Sequence, residues 1–388
     1  MYKPKTFILA AACAAALSAC STPAAAVPLA DFQNGKAAWQ EKLGRLKNGS
    51  NSKFRIVQIG DSHTAGDYFT QELRARLQAE FGNGGIGWVP PAAVPGQRTA
   101  EVSQKGSGWQ VLSSRKNSGD FPLGGMMMRS SGFASMNIAP RSEAAGEQDI
   151  TFTLRPVLAS QPLMLNDGGV LKPIGAGSSF GWQHQTVRGK LPFAFESSEG
   201  DVWEVGPIGI ENTQSGVTVS ALGINGSQLS HWSKWRNSWA QDLQAMKADL
   251  VVLAYGTNEA FNKTIDIDET RAVWQQTVRQ IRAALPEAGI LIVGAPESLT
   301  GKSGECGQRP AKLSAIQTMQ RQIAQQEKTL FWSWQDAMGG ECSMKNWMAQ
   351  GLGAKDGVHF SATGYRQAGG KLADALIEFT GGSSRLAW

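Results

Sequence analysis

The sequence predicts an α/β protein in which helices flank a parallel sheet and a β-sandwich is inserted partway along the chain. Three observations carry this expectation. Short apolar runs alternate with amphipathic segments of helical length in both the first and the last part of the chain, which is the pattern of parallel strands joined by crossover helices. Between them, over about 96–215, helical periodicity disappears and Gly, Ser and Pro punctuate short runs, the texture of a sandwich. The length, 388 residues, is that of two domains rather than one.

Taken in order, residues 31–48 read as a polar amphipathic helix. Phe54-Arg55-Ile56-Val57-Gln58-Ile59 is a short apolar strand running into Gly60-Asp61-Ser62-His63. A helix is expected over 64–81, with Phe69, Leu73 and Leu77 on one face. In the central part, Asp149-Ile150-Thr151-Phe152-Thr153-Leu154 and Leu191-Pro192-Phe193-Ala194-Phe195 read as strands. The alternation then resumes: strand 217–222, helix 228–247, buried strand 249–254, helix 269–285, strand 290–293, helix 311–328, short strand 330–334 and a closing helix 361–379. The expected division is a catalytic domain in two parts, 31–95 and 216–388, around an insert at 96–215, with no internal repeats.

Composition narrows the function. With 41% hydrophobic and 18% charged residues the chain can bury real cores, which excludes wholesale disorder. Lys3 and Lys5 supply two of the five net positive charges. The remaining +3, with no Lys/Arg run, argues against nucleic acid as the main partner. The 13 Trp suit carbohydrate contact and Trp-rich cores equally.

The N-terminus reads as an address. Lys3 and Lys5 precede an apolar run over 7–17 that ends in Leu17-Ser18-Ala19-Cys20, the marks of a secretory signal at 1–19 followed by a linker at 20–30. The run is shorter than the roughly 18 residues a spanning helix needs. Leu-Ser-Ala-Cys resembles the bacterial lipobox, which implies lipidation at Cys20, and Ser21 after it resembles the outer-membrane signal of Gram-negative lipoproteins. The alternative is ordinary cleavage near Ala24-Ala25-Ala26; both export the chain. Cys13 and Cys20 belong to the leader, and Cys306 and Cys342 remain. In an oxidising compartment two such cysteines suggest one disulfide between two loops, with two buried thiols as the alternative.

The chemistry concentrates at strand ends. Ser62 directly follows a buried strand and precedes a helix, so it lies at the carboxyl edge of the sheet, where open α/β folds bind ligands. The chain has four His, and only His359 has a carboxylate three residues earlier, in Asp356-Gly357-Val358-His359. On one turn that spacing brings the carboxylate to the imidazole and stabilises the imidazolium formed when Ser62 gives up its proton. Gly223-Ile224-Asn225-Gly226 and Tyr255-Gly256-Thr257-Asn258 each follow a strand. A tight turn there aims the Gly226 N–H outward, and the Asn258 amide reaches the same edge, as an oxyanion hole requires.

GDSHTAG, the Gly226 turn, GTN and DGVH, in this order, resemble the four blocks of the SGNH (GDSL-type) hydrolases. The resemblance makes Ser62 the nucleophile, Asp356 and His359 its catalytic partners, and the Ser62 and Gly226 backbone with the Asn258 side chain the oxyanion donors. One departure is visible: Glu259 stands where the family usually has Asp after the Asn. The chain is most similar to the O-acetylpeptidoglycan esterases of Gram-negative bacteria, exported SGNH enzymes with a carbohydrate-module-like β domain between the first and second blocks. That similarity implies O-acetylated peptidoglycan as substrate, loss of acetyl from the C6 hydroxyl of muramoyl residues, and a periplasmic lipoprotein anchored in the outer membrane. The alternatives are a peptidoglycan O-acetyltransferase of the same type and a wall-binding lipoprotein with a vestigial triad.

Other motifs carry less. Gly177-Ser178-Ser179-Phe180-Gly181 matches a lipase elbow but lacks the strand and helix around it. Gly82-x-Gly84-x-x-Gly87 matches a dinucleotide fingerprint in letters only, because Trp88-Val89-Pro90-Pro91 follows it instead of a helix. Gly301-Lys302-Ser303 lacks the upstream Gly of a phosphate loop. Trp232, Trp235 and Trp239 share one face of the expected helix, for core packing or as a sugar platform. His63 is expected to be structural or substrate-facing. No His forms a metal-ligand cluster, so neither metal nor cofactor is expected.

Overall fold

A computed structural model describes residues 27–33, 37–143 and 146–381; the leader and Cys20 lie outside the described residues. Two sheets organise the molecule. The first runs in the order Ala30–Asp31, Leu330–Trp332, Gly289–Val293, Leu250–Ala254, Lys53–Gly60, Gly216–Gly223. All neighbours are parallel except Ala30–Asp31, which pairs antiparallel with Leu330 and Phe331. Successive side chains of a strand face opposite sides, and both sides here are apolar. Phe54 and Ile56 join a core with Leu43, Leu73 and Leu372 from helices Ala38–Lys47, Phe69–Phe81 and Ala362–Phe379. Val57 and Ile59 join another with Leu243, Val278 and Ile316 from Trp239–Ala245, Ile267–Ala284 and Leu313–Gln326. Among the described residues no helix is long and apolar enough to cross a membrane.

Among the described residues the second sheet has nine antiparallel strands between Gly85 and Asn212. Its long strand Met126–Pro140 changes partner near Gly132, pairing with Trp203–Asn212 on one side of that residue and with Phe193–Ser197 on the other. Phe152 and Phe193 lie three strands apart along the hydrogen-bonded path, which in a flat sheet is about 14 Å. Their ring centroids are 5.9 Å apart, so the sheet folds over on itself around Phe152, Phe193, Phe195 and Trp203.

Three local expectations are corrected. The antiparallel sheet begins at Gly85, ahead of the expected boundary at 96, because Gly85–Val89 pairs with Trp203–Asn212. Gly87 lets this strand lie against the parallel sheet: a Cβ there would stand 2.8 Å from Ser220 Oγ. The helix expected over 64–81 is two, Ser62–Ala65 and Phe69–Phe81. Asp67, at φ +48°, breaks it by accepting the Ala100 N–H at 2.7 Å. The helix expected over 228–247 is a 3₁₀ turn, Leu229–Lys234, and a short helix, Trp239–Ala245. Between them Arg236 N–H donates to the Phe121 carbonyl at 2.9 Å, so the insert captures the backbone that the helix would have used.

That capture also decides the Trp cluster. Trp232 and Trp235 stack at 4.4 Å and Trp239 meets Trp232 edge-on at 5.0 Å. All three are buried in one core with Phe121, Leu123 and Met127 of the insert. They cement the two domains.

Candidate active site

Register sets the site. Gly60 is level with Gly223 on one side and Ala254 on the other, so the loops bearing Ser62, Gly226 and Asn258 leave the sheet from one row. Gly60 is required there: a Cβ would meet Thr64 Oγ1 at 2.3 Å and the Ala254 carbonyl at 2.5 Å. Asp61 caps the turn, its Oδ1 accepting the His63 N–H at 2.9 Å, and Ser62 opens the short helix, half-buried.

The imidazole of His359 bridges two groups. Its Nε2 lies 2.9 Å from Ser62 Oγ and its Nδ1 2.7 Å from Asp356 Oδ2. The other carboxylate oxygen of Asp356 accepts the Val358 and His359 N–H groups, both at 2.9 Å. The Asp-x-x-His spacing thus closes its own turn and aims the carboxylate at the ring. Burial opposes the Asp356 charge, but the His359 bond and the two amides outweigh it and hold the carboxyl below its usual range.

The opposite rim is laced together. Gly226 has φ +72°, and among the described residues no group accepts a hydrogen bond from its N–H. Asn258 Nδ2 donates to the Ser227 carbonyl at 2.9 Å and faces Asp61 Oδ2 at 3.3 Å. Glu259, where the family pattern has Asp, spans both loops: it accepts the Leu229 N–H at 2.8 Å and the Gly256 N–H at 3.0 Å. Burial pushes Glu259 up to about 7 and Asp61 up to about 8. His63 lies beneath, Nδ1 at 2.9 Å from the Tyr365 hydroxyl and Nε2 at 3.1 Å from Thr257 Oγ1. Burial, then the nearby His359, pulls its imidazole down to about 3, so it stays neutral.

The structure therefore brings Ser62, Asp356 and His359 into one relay, with Gly226 and Asn258 on loops that leave the sheet beside it. Cys306 and Cys342 form a disulfide, their Cα atoms 4.6 Å apart. Beside it Glu297 accepts the Cys342 N–H and pairs with Arg309, and Leu299 N–H donates to the Gly357 carbonyl at 2.8 Å, supporting the Asp356–His359 turn. Ser179 lies in a surface loop of the insert. His184, on strand Gln183–Gly189, faces Asp242 at 3.0 Å across the domain junction. His231 Nδ1 is 3.3 Å from Ser227 Oγ. Among the described residues no group of three or more His, Cys, Asp or Glu is arranged to hold a metal ion.

Sequence reasoning missed the bracing role of Glu259, though its place next to Asn258 was a signal. It also missed Arg115, whose Nε donates to the Gly226 carbonyl at 3.2 Å from the insert, 111 positions away; no local pattern marks that residue.

Comparison with known proteins follows the two sheets. Residues 84–194 match the family described as "Peptidoglycan O-acetylesterase, N-terminal", and 209–367 match the "GDSL-like Lipase/Acylhydrolase family". A solved peptidoglycan O-acetylesterase is 52% identical, covering 91% of this chain and 99% of its own, with a TM-score of 0.86. A GDSL-like lipase from Bacteroides thetaiotaomicron is 19% identical over 42% of this chain and 76% of its own, TM-score 0.32. A family two carbohydrate esterase from Cellvibrio japonicus is 13% identical over 72% and 99%, TM-score 0.31. The search of curated proteins finds no match.

Proposed function

Because the chain belongs to the peptidoglycan O-acetylesterases, we propose that it removes acetyl from the C6 hydroxyl of N-acetylmuramoyl residues through an acetyl-Ser62 intermediate. The observation that carries this reading is the continuous relay from Asp356 through His359 to Ser62, at 2.7 and 2.9 Å.

In the mechanism His359 Nε2 takes the Ser62 proton as Oγ attacks the acetyl carbonyl, and ionised Asp356 stabilises the imidazolium. The oxyanion accepts from the Ser62 and Gly226 N–H groups. It also accepts from the Asn258 N–H that faces Asp61, which leaves that long contact for a stronger, charged acceptor. His359 then returns the proton to the sugar oxygen, and the alcohol leaves. Water, deprotonated by the same imidazole, attacks acetyl-Ser62; acetate departs and Oγ recovers its proton. His63 and Glu259 hold the frame and transfer no proton. Export rests on the leader at 1–19, and a lipid on Cys20 would tether the enzyme to the outer membrane, facing peptidoglycan from the periplasm.

The test is acetate release from O-acetylated peptidoglycan by wild type and Ser62→Ala, with acetylated xylan as control substrate. Release from peptidoglycan by wild type alone, well above xylan, is expected. Donor-dependent acetylation of glycan exceeding hydrolysis would replace the esterase by a transferase, and release by Ser62→Ala would overturn the nucleophile.

A further inference from the structure

A cavity of about 300 Å³ adjoins the Gly226 turn, at the lower end of the size range of small-molecule sites. One wall is formed by Ile224 and Asn225 of the catalytic domain, immediately before Gly226, with Ala93, Val94, Pro95 and Gln97 of the connection that follows strand Gly85–Val89. The other is the insert: Val111, Ser113 and the loop of Arg115, Lys116 and Asn117. Among the described residues Arg115 and Lys116 are the only charged ones lining it, and no carboxylate does.

Arg115 is held in place. Its Nε donates to the Gly226 carbonyl at 3.2 Å, and its guanidinium lies so close over the turn that a Cβ on Gly226 would stand 2.8 Å from its Cζ. Among the described residues no carboxylate pairs with it. A guanidinium offers five N–H donors in a planar fork that matches a carboxylate; one is used here, and the Nη groups remain. Val111, an exposed apolar side chain on the insert wall, offers a surface for small apolar groups beside the charge.

We infer that this cavity is a subsite for the carboxylate-bearing substituent on O3 of the muramoyl residue, with Arg115 as its anchor. The inference rests on Ser62 being the acetyl acceptor. In peptidoglycan the N-acetylglucosamine units are neutral, whereas the muramoyl unit carries a lactyl ether that ends in a carboxylate or continues into an acidic stem peptide. The acetylated C6 and the O3 substituent belong to one pyranose ring, so a sugar that presents its acetyl at Ser62 beside Gly226 has its anionic O3 substituent to place nearby. The insert thereby acts as a specificity wall of the active site: the catalytic domain supplies the chemistry, and the insert selects the ring that carries the carboxylate.

The experiment compares kcat/KM on O-acetylated glycan fragments with free carboxylates and on the same fragments with those carboxylates methyl-esterified. Wild type, Arg115→Ala, Arg115→Lys and Arg115→Glu are measured in parallel. Two fragment sets are used, one with stem peptides intact and one trimmed by an amidase to the bare lactyl group. The wild type is expected to prefer the free carboxylate. In Arg115→Ala that preference falls roughly 10- to 100-fold, the range for a lost hydrogen bond to a charged group; Arg115→Lys keeps part of it and Arg115→Glu inverts it. A preference seen only with trimmed fragments assigns the lactyl carboxylate, and one seen only with intact stems assigns the peptide. No preference in wild type, or an equal preference in Arg115→Ala and wild type, overturns the subsite. Because the readout is a ratio of two substrates on one enzyme, a general loss of activity in a variant does not mimic the effect. Failure of the Ser62 reading appears separately, as turnover of both fragments by Ser62→Ala.

Discussion

The carboxylate of Glu259 and the backbone N–H of Leu229 lie 2.8 Å apart, and through this bond the loop carrying Asn258 holds the loop carrying Gly226. The second carboxylate oxygen takes the Gly256 N–H, so the loops carrying Gly226 and Asn258 both hang on one buried side chain.

Glu259→Gln sets an NH2 donor against one of those two N–H groups. A loss of about 1–3 kcal/mol of stability is expected, as for an unsatisfied buried donor. Burial raises the folded-state value of Glu259 from 4.5 to about 7, so the folded protein binds this proton more tightly than the unfolded chain. The contribution is full below pH 4.5 and is lost as pH rises through about 7. The stability gap between wild type and Glu259→Gln therefore narrows from pH 4.5 to pH 7. Urea unfolding at several pH values measures it, and a constant or widening gap refutes the assignment. Asp61 acts in the same direction up to about pH 8, and because the Glu259 charge is one cause of its raised value, Glu259→Gln weakens that effect and adds to the narrowing.

Asn258→Ala removes the proposed oxyanion donor and should lower kcat by about 10²–10³-fold. The same amide holds the Ser227 carbonyl, so a stability loss of about 1 kcal/mol accompanies it. The kinetic loss should fall on kcat with KM little changed. A loss confined to KM would make Asn258 a binding group instead.

Asp356→Asn tests the relay. The Asn side chain keeps an acceptor for the turn amides but loses the charge that stabilises the imidazolium, and a fall in kcat of about 10⁴-fold is expected. Steady-state hydrolysis of a simple acetyl ester measures it. A loss below 10-fold would mean that His359 works without its partner.

The disulfide closes a span of 36 positions, for which the loop-entropy estimate is about 4 kcal/mol. Cys306→Ser with Cys342→Ser should lower the free energy of unfolding by up to that amount, and dithiothreitol should destabilise wild type alone. Equal unfolding midpoints with and without reductant in wild type would show that the bridge contributes nothing.

Much of the relay was legible because its determinants are local. Apolar runs ending at Gly60 and Ala254 place Ser62 and Asn258 at strand ends, and Asp356 reaches His359 within one turn that its own carboxylate closes. Where the structure departs from the expected helices, a distant partner takes over. The break at Asp67 is made by the Ala100 amide, and the interrupted helix after Gly226 by the Phe121 carbonyl. Periodicity reports which face a helix would bury; it carries no information about a competing acceptor from another domain.

The sequence by itself determined the alternation of strands and helices and the Asp356–His359 turn, which follow from hydrophobic periodicity and from a spacing of three positions, while the order of the four blocks is legible through the family resemblance. Only the tertiary structure decided that the three Trp join the two domains, that Glu259 braces the loops of Gly226 and Asn258, and that Arg115 reaches Gly226 across 111 positions. Those contacts form between segments that meet only once the insert folds onto the parallel sheet. Their energy depends on three-dimensional proximity and burial, which neither composition nor periodicity records.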